Sequence, residues 1–475
     1  MRIAFIHFHL KTGGVTSVIA RQVEAVRKFG GQAVILSGEP PARPMGCNVI
    51  VIPQLAYDQP GRQTERADTV ARRISTSLED HWPGGPDVVH VHNPTLSKNR
   101  RLQAVLKCLQ HSGCRLLCQI HDFAEDGRPD FFFNEEYVAD CHYAVLNRRD
   151  YDLLRSAGLK APGLHLLSNP IVPLPKTDAA QSGSDDGEIL YPVRAIRRKN
   201  IGEALLLSCY FDPPATLAVT LPPNSPADCI SYAQWRSFVL ENDLKARFDA
   251  GLKADFNVLV ARCRYVLTTS VSEGFGFTFL EPWTVDKPLW GRLLPDICAD
   301  FIEKGLVLDS LYERLSVPLD FFNHRELCRR WQSAWCSAAV RFGIAVAPDA
   351  VQSEWQEISA EGMIDFGLLD ERAQRQVIAH IIVNSDRYEL LQRLNPFLER
   401  PGPPHTTASD VNFNRLVVAR HYSLESYTLR LHDVYESIIS RGMIRHSIDK
   451  GILARAFLAP RTFSLLKWGS FDAQA

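Results

Sequence analysis

The first third of the chain alternates between short apolar runs and longer segments of mixed polarity. Residues 3–8 (IAFIHF) form one apolar run, and apolar side chains then recur at helical spacing over residues 15–28. The short runs indicate strands buried on both faces, whereas the helical spacing indicates an amphipathic helix with Thr16 or Ser17 as its N-cap. Further predicted strands occupy residues 33–37, 87–92, 115–121 and 143–146. This alternation predicts a parallel, doubly wound α/β sheet.

The pattern is interrupted after the first predicted domain, residues 1–172. Residues 173–187 (PLPKTDAAQSGSDDG) contain few large apolar side chains and many Pro, Ser, Asp and Gly residues, which is typical of a linker. A second alternation follows, with predicted strands at residues 188–193, 216–221 and 265–270. Two consecutive Rossmann-like halves joined by a linker predict a ligand-binding cleft between them.

The rest of the chain is richer in helical patterns. We expect a second domain at residues 188–440, with a helical insertion at about 320–400, and a helical tail at residues 441–475. The tail combines aromatic side chains with Arg and Lys, a composition that suits contact with a membrane surface or with the protein itself. Docking of the tail on the N-terminal domain is the favoured interpretation.

Composition argues against several functional classes. The formal net charge of −1 creates no global field that would recruit nucleic acid or an anionic membrane. The 11 cysteines include no C-x-x-C pair, which argues against a zinc site or a disulfide framework and favours free thiols in a reducing compartment. The N-terminal apolar run is too short for a signal peptide, and no later stretch is long enough to span a bilayer. We therefore expect a cytoplasmic protein.

Histidines follow several predicted strands of the first domain. Ligands bind beyond the carboxyl ends of parallel strands, so residues at these positions are candidates for a site. A histidine at any one position is more often structural, but several at one sheet edge favour a common crevice. The candidates at this edge are His7, His9, His90, His92, His121 and Asp122, beside the Gly13-Gly14 turn.

Cations follow the first predicted strand of the second domain. The segment YPVRAIRRKN places Arg194, Arg197, Arg198 and Lys199 directly after a buried run. Arginine, as a planar fork, and lysine, as a point charge, both suit a diphosphate. A solvated turn before the next helix is an equally good explanation of these four residues.

Residues 272–283 (SEGFGFTFLEPW) place two glutamates around a Gly-Phe-Gly turn. Glu273 follows a predicted strand, and Gly276 permits a ligand to approach the backbone closely. A helix predicted to begin near Phe277 would direct its free N–H groups at an anion, with Glu281 about two turns from Glu273. Because carboxylates accept hydrogen bonds from sugar hydroxyls, the cations and carboxylates together predict a nucleotide-sugar site.

In this order and spacing, the motifs resemble those of the retaining glycosyltransferases of family four, which have the GT-B fold. The resemblance rests on TGGVTS, DVVHVH, the His-Asp pair, Arg-x4-Lys and Glu-x7-Glu, and spans roughly residues 1–300. A late segment, residues 422–438 (YSLESYTLRLHDVYESI), is similar to the C-terminal helix of that family. The resemblance implies an α/β architecture with two Rossmann-like domains facing a cleft and extra C-terminal helices.

The resemblance also implies roles for individual residues. Arg194 and Lys199 would neutralise the diphosphate leaving group, and His121 would face the donor sugar. Glu273 would bind hydroxyls of the transferred hexose. The other donor-binding residues would be Gly13, Gly14, Phe275, Gly276, Phe277 and Glu281, the last on the ribose hydroxyls. The acceptor-side candidates are His9, His92 and Asp122.

The implied activity is transfer of a hexose, with retention, from a nucleotide-diphosphate sugar to a small-metabolite, lipid-linked or protein acceptor. Because no carboxylate is assigned as a nucleophile, front-side attack assisted by the leaving diphosphate is the preferred route. No metal or other cofactor is expected, since no Asp-x-Asp motif follows a strand. A nucleotide-sugar epimerase or hydrolase on the same fold, and a non-catalytic scaffold, stay open as alternatives. As cleft residues, Lys199 and Glu273 are expected to affect stability by no more than about 1 kcal/mol.

Overall fold

The computed structural model describes residues 1–59, 65–175, 187–211, 215–403 and 406–469. The chain forms two compact units. Unit 1 comprises Met1–Ile171 and Arg420–Phe457, and unit 2 comprises Val172–Ala419 and Leu458–Ala475. The chain therefore leaves unit 1, forms most of unit 2, and returns to unit 1 before its last segment joins unit 2.

The strands are short, as the apolar runs predict. They are β1 (Arg2–His7), β2 (Gln32–Ser37), β3 (Asn48–Val51), β4 (Val88–His92), β5 (Leu116–Gln119), β6 (His142–Val145), β7 (Leu164–Leu166), β8 (Ile189–Arg194), β9 (Leu217–Leu221), β10 (Ala246–Arg247), β11 (Tyr265–Thr268), β12 (Leu289–Gly291), β13 (Ser316–Pro318) and β14 (Met363–Asp365).

The α-helices lie between the strands and dominate the later part of the chain. They are α1 (Gly14–Lys28), α2 (Ala67–His81), α3 (Leu102–His111), α4 (Arg148–Ser156), α5 (Ile201–Ser208), α6 (Pro226–Glu241), α7 (Ala250–Lys253), α8 (Phe256–Arg262), α9 (Pro295–Glu303), α10 (His324–Arg341), α11 (Pro348–Ile358), α12 (Glu371–Val383), α13 (Ser385–Leu394), α14 (Ala408–Tyr422), α15 (Leu424–Arg441), α16 (Lys450–Phe457) and α17 (Leu465–Trp468).

Unit 1 contains a seven-stranded parallel sheet in the order β3-β2-β1-β4-β5-β6-β7. Ile3 of β1 pairs in register with Ala33 of β2 on one side and with Val88 of β4 on the other. Every residue of β4 is buried. Strands buried on both faces need apolar residues at consecutive positions, and for this reason the continuous apolar runs of the sequence form the sheet.

Unit 2 contains a five-stranded parallel sheet in the order β10-β9-β8-β11-β12, and a separate antiparallel pair, β13 and β14. Strands β8 and β11 are neighbours, with Tyr265 paired to Ile189. The predicted fold class is confirmed: both units are Rossmann-like α/β units with parallel sheets.

The predicted domain limits differ from the units after the first boundary. The predicted boundary at residue 172 lies beside the division between Ile171 and Val172. The assignment of residues 420–440 to the second domain is wrong, because they belong to unit 1. The predicted tail is divided, since residues 441–457 belong to unit 1 and Leu458–Ala475 belongs to unit 2. Most of the predicted linker, residues 176–186, lies outside the described residues.

The region predicted as a helical insertion, residues 320–400, belongs to unit 2. It contains helices α10 to α13 and strand β14. In the part of the chain that the structure describes, no helix is both long and apolar enough to cross a membrane. The 11 cysteines are all free, and none forms a disulfide.

Helix α15 completes the core of unit 1. Its buried side chains join the apolar cluster around β1 and α1, which includes Phe5, Ile19 and Val23. The positions that α15 contributes recur every three or four residues and form one stripe. They are Tyr427, Leu431, Val434, Tyr435 and Ile438. A helix from late in the sequence is thus part of the core of the first unit, which explains the error in the predicted domain limits.

Arg292, just after β12, connects three parts of unit 2. Its guanidinium group donates to both carboxylate oxygens of Glu203 in α5 and to both of Asp365 at the end of β14, all at 2.8 Å. The hydroxyl of Tyr312 donates to Glu203 at 2.7 Å. Bidentate pairs of this kind satisfy the buried charges on both sides. The network holds the β13–β14 pair to the parallel sheet.

Two leucines of α15 test whether this helix is part of the core. Leu431 is fully buried, whereas Leu429 is 69% exposed on the same helix. Leu431→Ala is expected to lower the free energy of unfolding by about 2–5 kcal/mol, because it leaves a cavity. Leu429→Ala is expected to change it by less than about 0.5 kcal/mol. Urea unfolding measures both, and equal effects of the two substitutions would contradict the described packing.

Candidate functional site

The candidate site of unit 2 lies where two neighbouring strands end. Strand β8 ends at Arg194, and the chain turns through a 3-10 helix, Arg197–Lys199, before α5. Strand β11 ends at Thr268 and is followed by the loop that contains Glu273. Because β8 and β11 are parallel neighbours, both connections leave the sheet at the same edge.

Glu273 and Lys199 form a buried ion pair at this edge. The Lys199 ammonium group donates to Oε1 of Glu273, and the Arg198 guanidinium group lies 3.3 Å from Oε2. Arg198 also donates to the carbonyl oxygen of Ser272 at 2.6 Å. Glu273 is only 7% exposed. The structure therefore brings together two residues that the sequence analysis assigned to sugar and diphosphate, respectively.

Charge stabilises Glu273 in its ionised form. Burial on its own raises the pKa of Glu273, but the positive charges of Lys199 and Arg198 outweigh it and bring that pKa to about 2. Burial lowers the pKa of Lys199, an effect that the charge of Glu273 opposes. Removing one member of a buried pair leaves the other charge without compensation. The premise that Lys199 and Glu273 are exposed cleft residues is wrong, because their side chains are only 14% and 8% exposed.

The four cations after β8 have different environments. Arg194 is exposed and donates to the carbonyl oxygen of Pro222 at 3.1 Å. Arg197 donates to both carboxylate oxygens of Glu371, at 2.5 and 2.8 Å, in a nearly buried pair. Arg198, which the resemblance did not single out, is the arginine at Glu273. The spacing of Arg194 and Lys199 in the sequence therefore does not place both of them at the carboxylate.

The helix predicted to begin near Phe277 does not form. Two short 3-10 helices, Phe277–Phe279 and Glu281–Val285, occupy this stretch, and the second has a proline in its first turn. Pro282 has no N–H group to donate, and Asp286 has the left-handed backbone conformation that ends the second turn. The prediction that Glu281 lies about two α-helical turns from Glu273 is therefore wrong.

The Gly-Phe-Gly turn requires glycine at its third position. Gly276 has a φ of 90°, and a Cβ atom there would lie 2.9 Å from the ring of Phe279. Phe275 is buried, with its ring edge-on to Phe277 at 5.1 Å and to Phe301 at 5.8 Å. The aromatic side chains thus anchor the loop, and the polar backbone of the turn is what a ligand would meet.

Glu281 differs from Glu273 in its charge environment. Burial raises the pKa of Glu281 to about 7. Within the described ranges its carboxylate forms no salt bridge, and its carbonyl oxygen accepts from the Thr284 hydroxyl at 2.7 Å. The two glutamates of this loop thus have pKa values displaced in opposite directions, one by neighbouring cations and the other by burial alone.

Histidines converge at the carboxyl edge of the unit 1 sheet. His92, at the end of β4, shares a 2.9 Å hydrogen bond with His121 and stacks on His90 at 4.6 Å. His7, at the end of β1, meets His92 edge-on at 6.2 Å. Burial lowers the pKa of all four, to about 3 for His7 and His90 and about 4 for His121. These side chains are therefore neutral at pH 7.

A buried hydrogen-bond network connects the histidines to α15. The Gln119 side-chain oxygen accepts from Gln22 at 2.7 Å and lies 2.9 Å from Nε2 of His90. Gln22 also donates to the Tyr427 hydroxyl at 2.8 Å, and the Tyr435 hydroxyl lies 2.8 Å from Nδ1 of His90. The sequence analysis missed both tyrosines. The spacing of the two tyrosines along one helix was a usable signal. It could not identify their partners, Gln22 and His90, which are hundreds of residues away in the sequence.

Asn93 positions the His-Asp pair that follows β5. Its side-chain oxygen accepts from the backbone N–H groups of His121 and Asp122, at 2.8 and 3.1 Å. Asn93 itself has a left-handed backbone conformation, with a φ of 53°. The sequence analysis did not single out this residue, although an amide directly after a buried strand was a usable signal.

The remaining acceptor-side candidates contact neighbours outside the stacked histidines. Nε2 of His9 lies 3.1 Å from the Tyr57 hydroxyl, and Asp122 accepts from Arg128 at 2.7 Å. The ring of His9 lies 5.5 Å from that of His7. The polar side chains at the carboxyl edge of the unit 1 sheet thus continue from β1 to the residues that follow β3 and β5.

The Gly13-Gly14 turn starts α1. Gly13 is the N-cap with an extended backbone, and the helix begins at Gly14, before the predicted caps Thr16 and Ser17. No side chain caps this helix, and its first turn has no acidic residue; Thr16 donates instead to the carbonyl oxygen of Lys11 at 2.6 Å. A Cβ atom on Gly14 would meet nothing within 4 Å. The first turn of α1 therefore has free N–H groups without a capping side chain among the described residues, as an anion-binding helix end requires.

Comparisons with known proteins agree with this architecture. Sucrose-phosphate synthase from Thermosynechococcus elongatus superposes with a TM-score of 0.54 over 93% of this chain and 100% of its own, at 14% identity. Anabaena HepE, in complex with UDP-glucose, superposes with a TM-score of 0.54 over 92% of this chain and 100% of its own, at 12% identity. The chain has the GT-B fold. Similarity at these identities concerns the fold alone.

A relative in sequence points to the same enzyme class. Mannosylglucosyl-3-phosphoglycerate synthase from Petrotoga mobilis is 25% identical over 354 residues, which cover 66% of this chain and 68% of the relative. No protein-family model matches the chain. Together with the fold, this similarity identifies a glycosyltransferase of the GT-B type. Among the described residues, no three His, Cys, Asp or Glu side chains are grouped so that they could hold a metal ion.

Substitution of Glu273 by Gln tests the charge balance of the site. We expect Glu273→Gln to destabilise the protein by about 3 kcal/mol at pH 7, because Lys199 stays charged in a buried position. Folding lowers the pKa of Glu273 from 4.5 to about 2. Its carboxylate therefore stabilises the fold above about pH 4.5, and this contribution is lost as the pH falls towards 2. Urea unfolding at pH 7, 4 and 3 should show the difference between variant and wild type shrinking.

Glu281→Gln is the matched control, because its effect on stability should depend on pH in the opposite direction. Folding raises the pKa of Glu281 to about 7, so the protein loses stability as the pH rises through 7 and that carboxylate ionises. The Gln variant should be more stable than wild type at pH 8 and similar to it at pH 4. If the two variants showed the same pH trend, the described environments of these glutamates would be incorrect.

Proposed function

We propose that this glycosyltransferase transfers a hexose with retention from a nucleotide-diphosphate sugar, without a metal ion. The observation that carries the proposal is the cluster of Lys199, Arg198 and Glu273 at one sheet edge of unit 2. The diphosphate needs cations and the hexose needs hydrogen-bond acceptors, and this cluster supplies both at adjacent positions. Lys199 and Arg198 bind the diphosphate, while Glu273 accepts hydrogen bonds from hexose hydroxyls.

The reaction follows from where charge develops. The bond from the anomeric carbon to the diphosphate oxygen breaks, and negative charge accumulates on the diphosphate while the sugar becomes oxocarbenium-like. The acceptor oxygen bonds to the anomeric carbon on the same face, and its proton passes to the leaving phosphate oxygen. Cations held in place before the reaction stabilise the developing charge most effectively. Lys199 and Arg198 fulfil this role in the proposal, and Arg194 joins them at the outer side of the diphosphate.

His121 has the charge state that this reaction needs. Burial holds its pKa at about 4, so its ring is neutral at pH 7 and does not repel a positively charged sugar. The hydrogen bond to His92 holds the ring in place. We propose that His121 faces the donor sugar, with the N-terminus of α1 at Gly13 and Gly14 nearby. His9, His92 and Asp122 belong to the acceptor side in this proposal.

Glu281 completes the donor site by binding the ribose hydroxyls, while the backbone at Phe275, Gly276 and Phe277 approaches the sugar and phosphates. The name of the Petrotoga relative describes a product that contains 3-phosphoglycerate, an acid with a phosphate and a carboxylate. We propose that the acceptor of this chain is also a small anionic molecule. The UDP-glucose bound to Anabaena HepE makes uridine diphosphate sugars the first donors to test.

Turnover of wild type and site variants tests the transfer. A thermal-shift screen of uridine, guanosine and adenosine diphosphate sugars first identifies the donor. Release of nucleoside diphosphate is then measured with 3-phosphoglycerate and its glucoside as acceptors. Lys199→Met and Glu273→Gln are expected to lower kcat by about 100- to 1000-fold. His121→Ala is expected to lower it while the protein stays folded.

The same assay decides the finer points. The anomeric configuration of the product, determined by NMR, should match that of the donor, and excess EDTA should leave the rate unchanged. Lys107→Met, on the outer helix α3, is the matched lysine control and should be as active as wild type. Inverted product would exclude retention, and rapid formation of an epimer or free sugar without acceptor would indicate an epimerase or a hydrolase.

The pKa of Glu281 gives a separate prediction for nucleotide binding. An ionised carboxylate is the stronger acceptor for the two ribose hydroxyls, and Glu281 ionises around pH 7. The Kd of the matching nucleoside diphosphate should therefore fall several-fold between pH 6 and pH 8. Isothermal titration calorimetry across this range measures the trend, and Glu281→Gln should flatten it. An unchanged slope in that variant would remove Glu281 from the ribose.

A further inference from the structure

Among the described residues of unit 1, Lys98 is a cation without a carboxylate partner. It follows strand β4, and its ammonium group donates to the Tyr57 hydroxyl at 3.1 Å. The ring centroids of Tyr57 and Phe131 lie 4.8 and 5.2 Å from the same nitrogen. Within the described ranges Lys98 forms no salt bridge. Two aromatic rings and one hydroxyl leave most of its hydrogen-bonding capacity unused.

Some of the other charged side chains near Lys98 already form pairs. Lys11 binds Glu39 at 2.8 Å, and Arg128 binds Asp122 at 2.7 Å. Burial, with the nearby charge of Arg128, lowers the pKa of Lys98, and Asp122 only partly opposes this. Among the described residues Lys98 thus forms no salt bridge, although Asp58, Glu65 and Asp130 lie in the same part of unit 1. A bound anion would supply the missing partner.

A cavity of about 730 Å³ opens beside Lys98. Its lining comes mainly from the segments after β3, β4 and β5, so it lies beyond the carboxyl ends of these strands, of which β4 and β5 are neighbours in the sheet. The lining includes Tyr57, Asp58, Lys98, Arg100, Arg101 and Phe131. The volume is within the range of small-molecule sites, and it lies in unit 1 alone.

The polar groups of the cavity differ in whether they already form hydrogen bonds or salt bridges within the protein. Asp58 accepts from the backbone N–H of Arg100 at 2.9 Å, and Glu65 binds Arg73 at 2.9 Å. The exposed guanidinium group of Arg100 forms no salt bridge among the described residues. Lys98 and Arg100 thus remain as cations for a ligand, while the carboxylate and amide oxygens of the lining can accept from hydroxyls.

We propose that this cavity binds the phosphate group of a phosphorylated polyol or glycoside, which serves as the acceptor. Lys98 holds the phosphate as a point charge, Arg100 adds a second cation, and Asp58 accepts hydrogen bonds from hydroxyls of the ligand. The inference rests on the proposed function, because it gives that reaction its acceptor subsite. Lys98 and Arg100, neither of which forms a salt bridge with a described residue, suit a dianionic phosphate better than a single carboxylate.

Calorimetric binding of three probes to the full chain tests the site. 3-Phosphoglycerate carries both anionic groups, glycerol 3-phosphate only the phosphate, and glycerate only the carboxylate. Wild type is expected to bind the first two and to bind glycerate at least tenfold more weakly. Lys98→Met should weaken binding of both phosphates at least tenfold, while Lys98→Arg should weaken it less, because it keeps the charge but not the shape of the ammonium group.

Two further variants keep the test decisive if Lys98→Met does not fold. Arg100→Gln changes an exposed side chain and should weaken phosphate binding several-fold without loss of thermal stability. Lys107→Met removes a lysine of α3 outside the cavity lining and should bind as wild type does. The proposal is overturned if wild type binds neither phosphate, if glycerate binds as tightly as 3-phosphoglycerate, or if the Lys98 and Arg100 variants bind like wild type.

Nucleotide binding is measured in the same preparations, which separates this inference from the proposed function. Variants of Lys98 should leave the Kd of the nucleoside diphosphate unchanged, since their effect is confined to the acceptor side. Phosphate binding that depends on Lys98, without any nucleotide binding, would support the cavity and exclude the transfer reaction. Nucleotide-sugar turnover that is insensitive to Lys98 would support the transfer and exclude the cavity as its acceptor subsite.

Discussion

The buried ion pair between Lys199 and Glu273 is the interaction on which the unit 2 site depends. The charge of Lys199 needs Glu273 as its partner, and Glu273 stays ionised in its buried position because of Lys199 together with Arg198. The pair joins the turn after β8 to the loop after β11, so it forms only because these two strands are neighbours in the sheet. In the proposed reaction the two side chains have different roles, because Lys199 binds the diphosphate and Glu273 binds the sugar.

Burial has opposite consequences at the two sheet edges. In unit 1 it makes the stacked histidines neutral, because the groups around them are mainly other histidines and uncharged hydrogen-bond partners. In unit 2 it would also neutralise Glu273, but Lys199 and Arg198 lie close enough to reverse the effect. A neutral surface next to a developing positive sugar and a charged cluster next to a diphosphate are the two environments that the proposed transfer needs.

Local chemistry explains where the sequence analysis succeeded and where it failed. Continuous apolar runs predicted the strands, because a strand buried on both faces allows little else. The helix predicted at Phe277 failed, because Pro282 and a left-handed residue at Asp286 replace it with 3-10 turns. The placement of α15 in the second domain failed, since its apolar stripe is visible in the sequence but the core that receives it is not.

By itself, the sequence determined the α/β class, the two parallel sheets and the presence of Lys199 and Glu273 at strand ends, since these depend on periodicity and on the order of residues. Only the tertiary structure decided which charges meet. It paired Arg198 rather than Arg194 with Glu273, left Lys98 without an acid partner among the described residues, and buried both tyrosines of α15 against Gln22 and His90. Pairing and burial depend on distances between segments remote in sequence, and those distances set the energy of every buried charge.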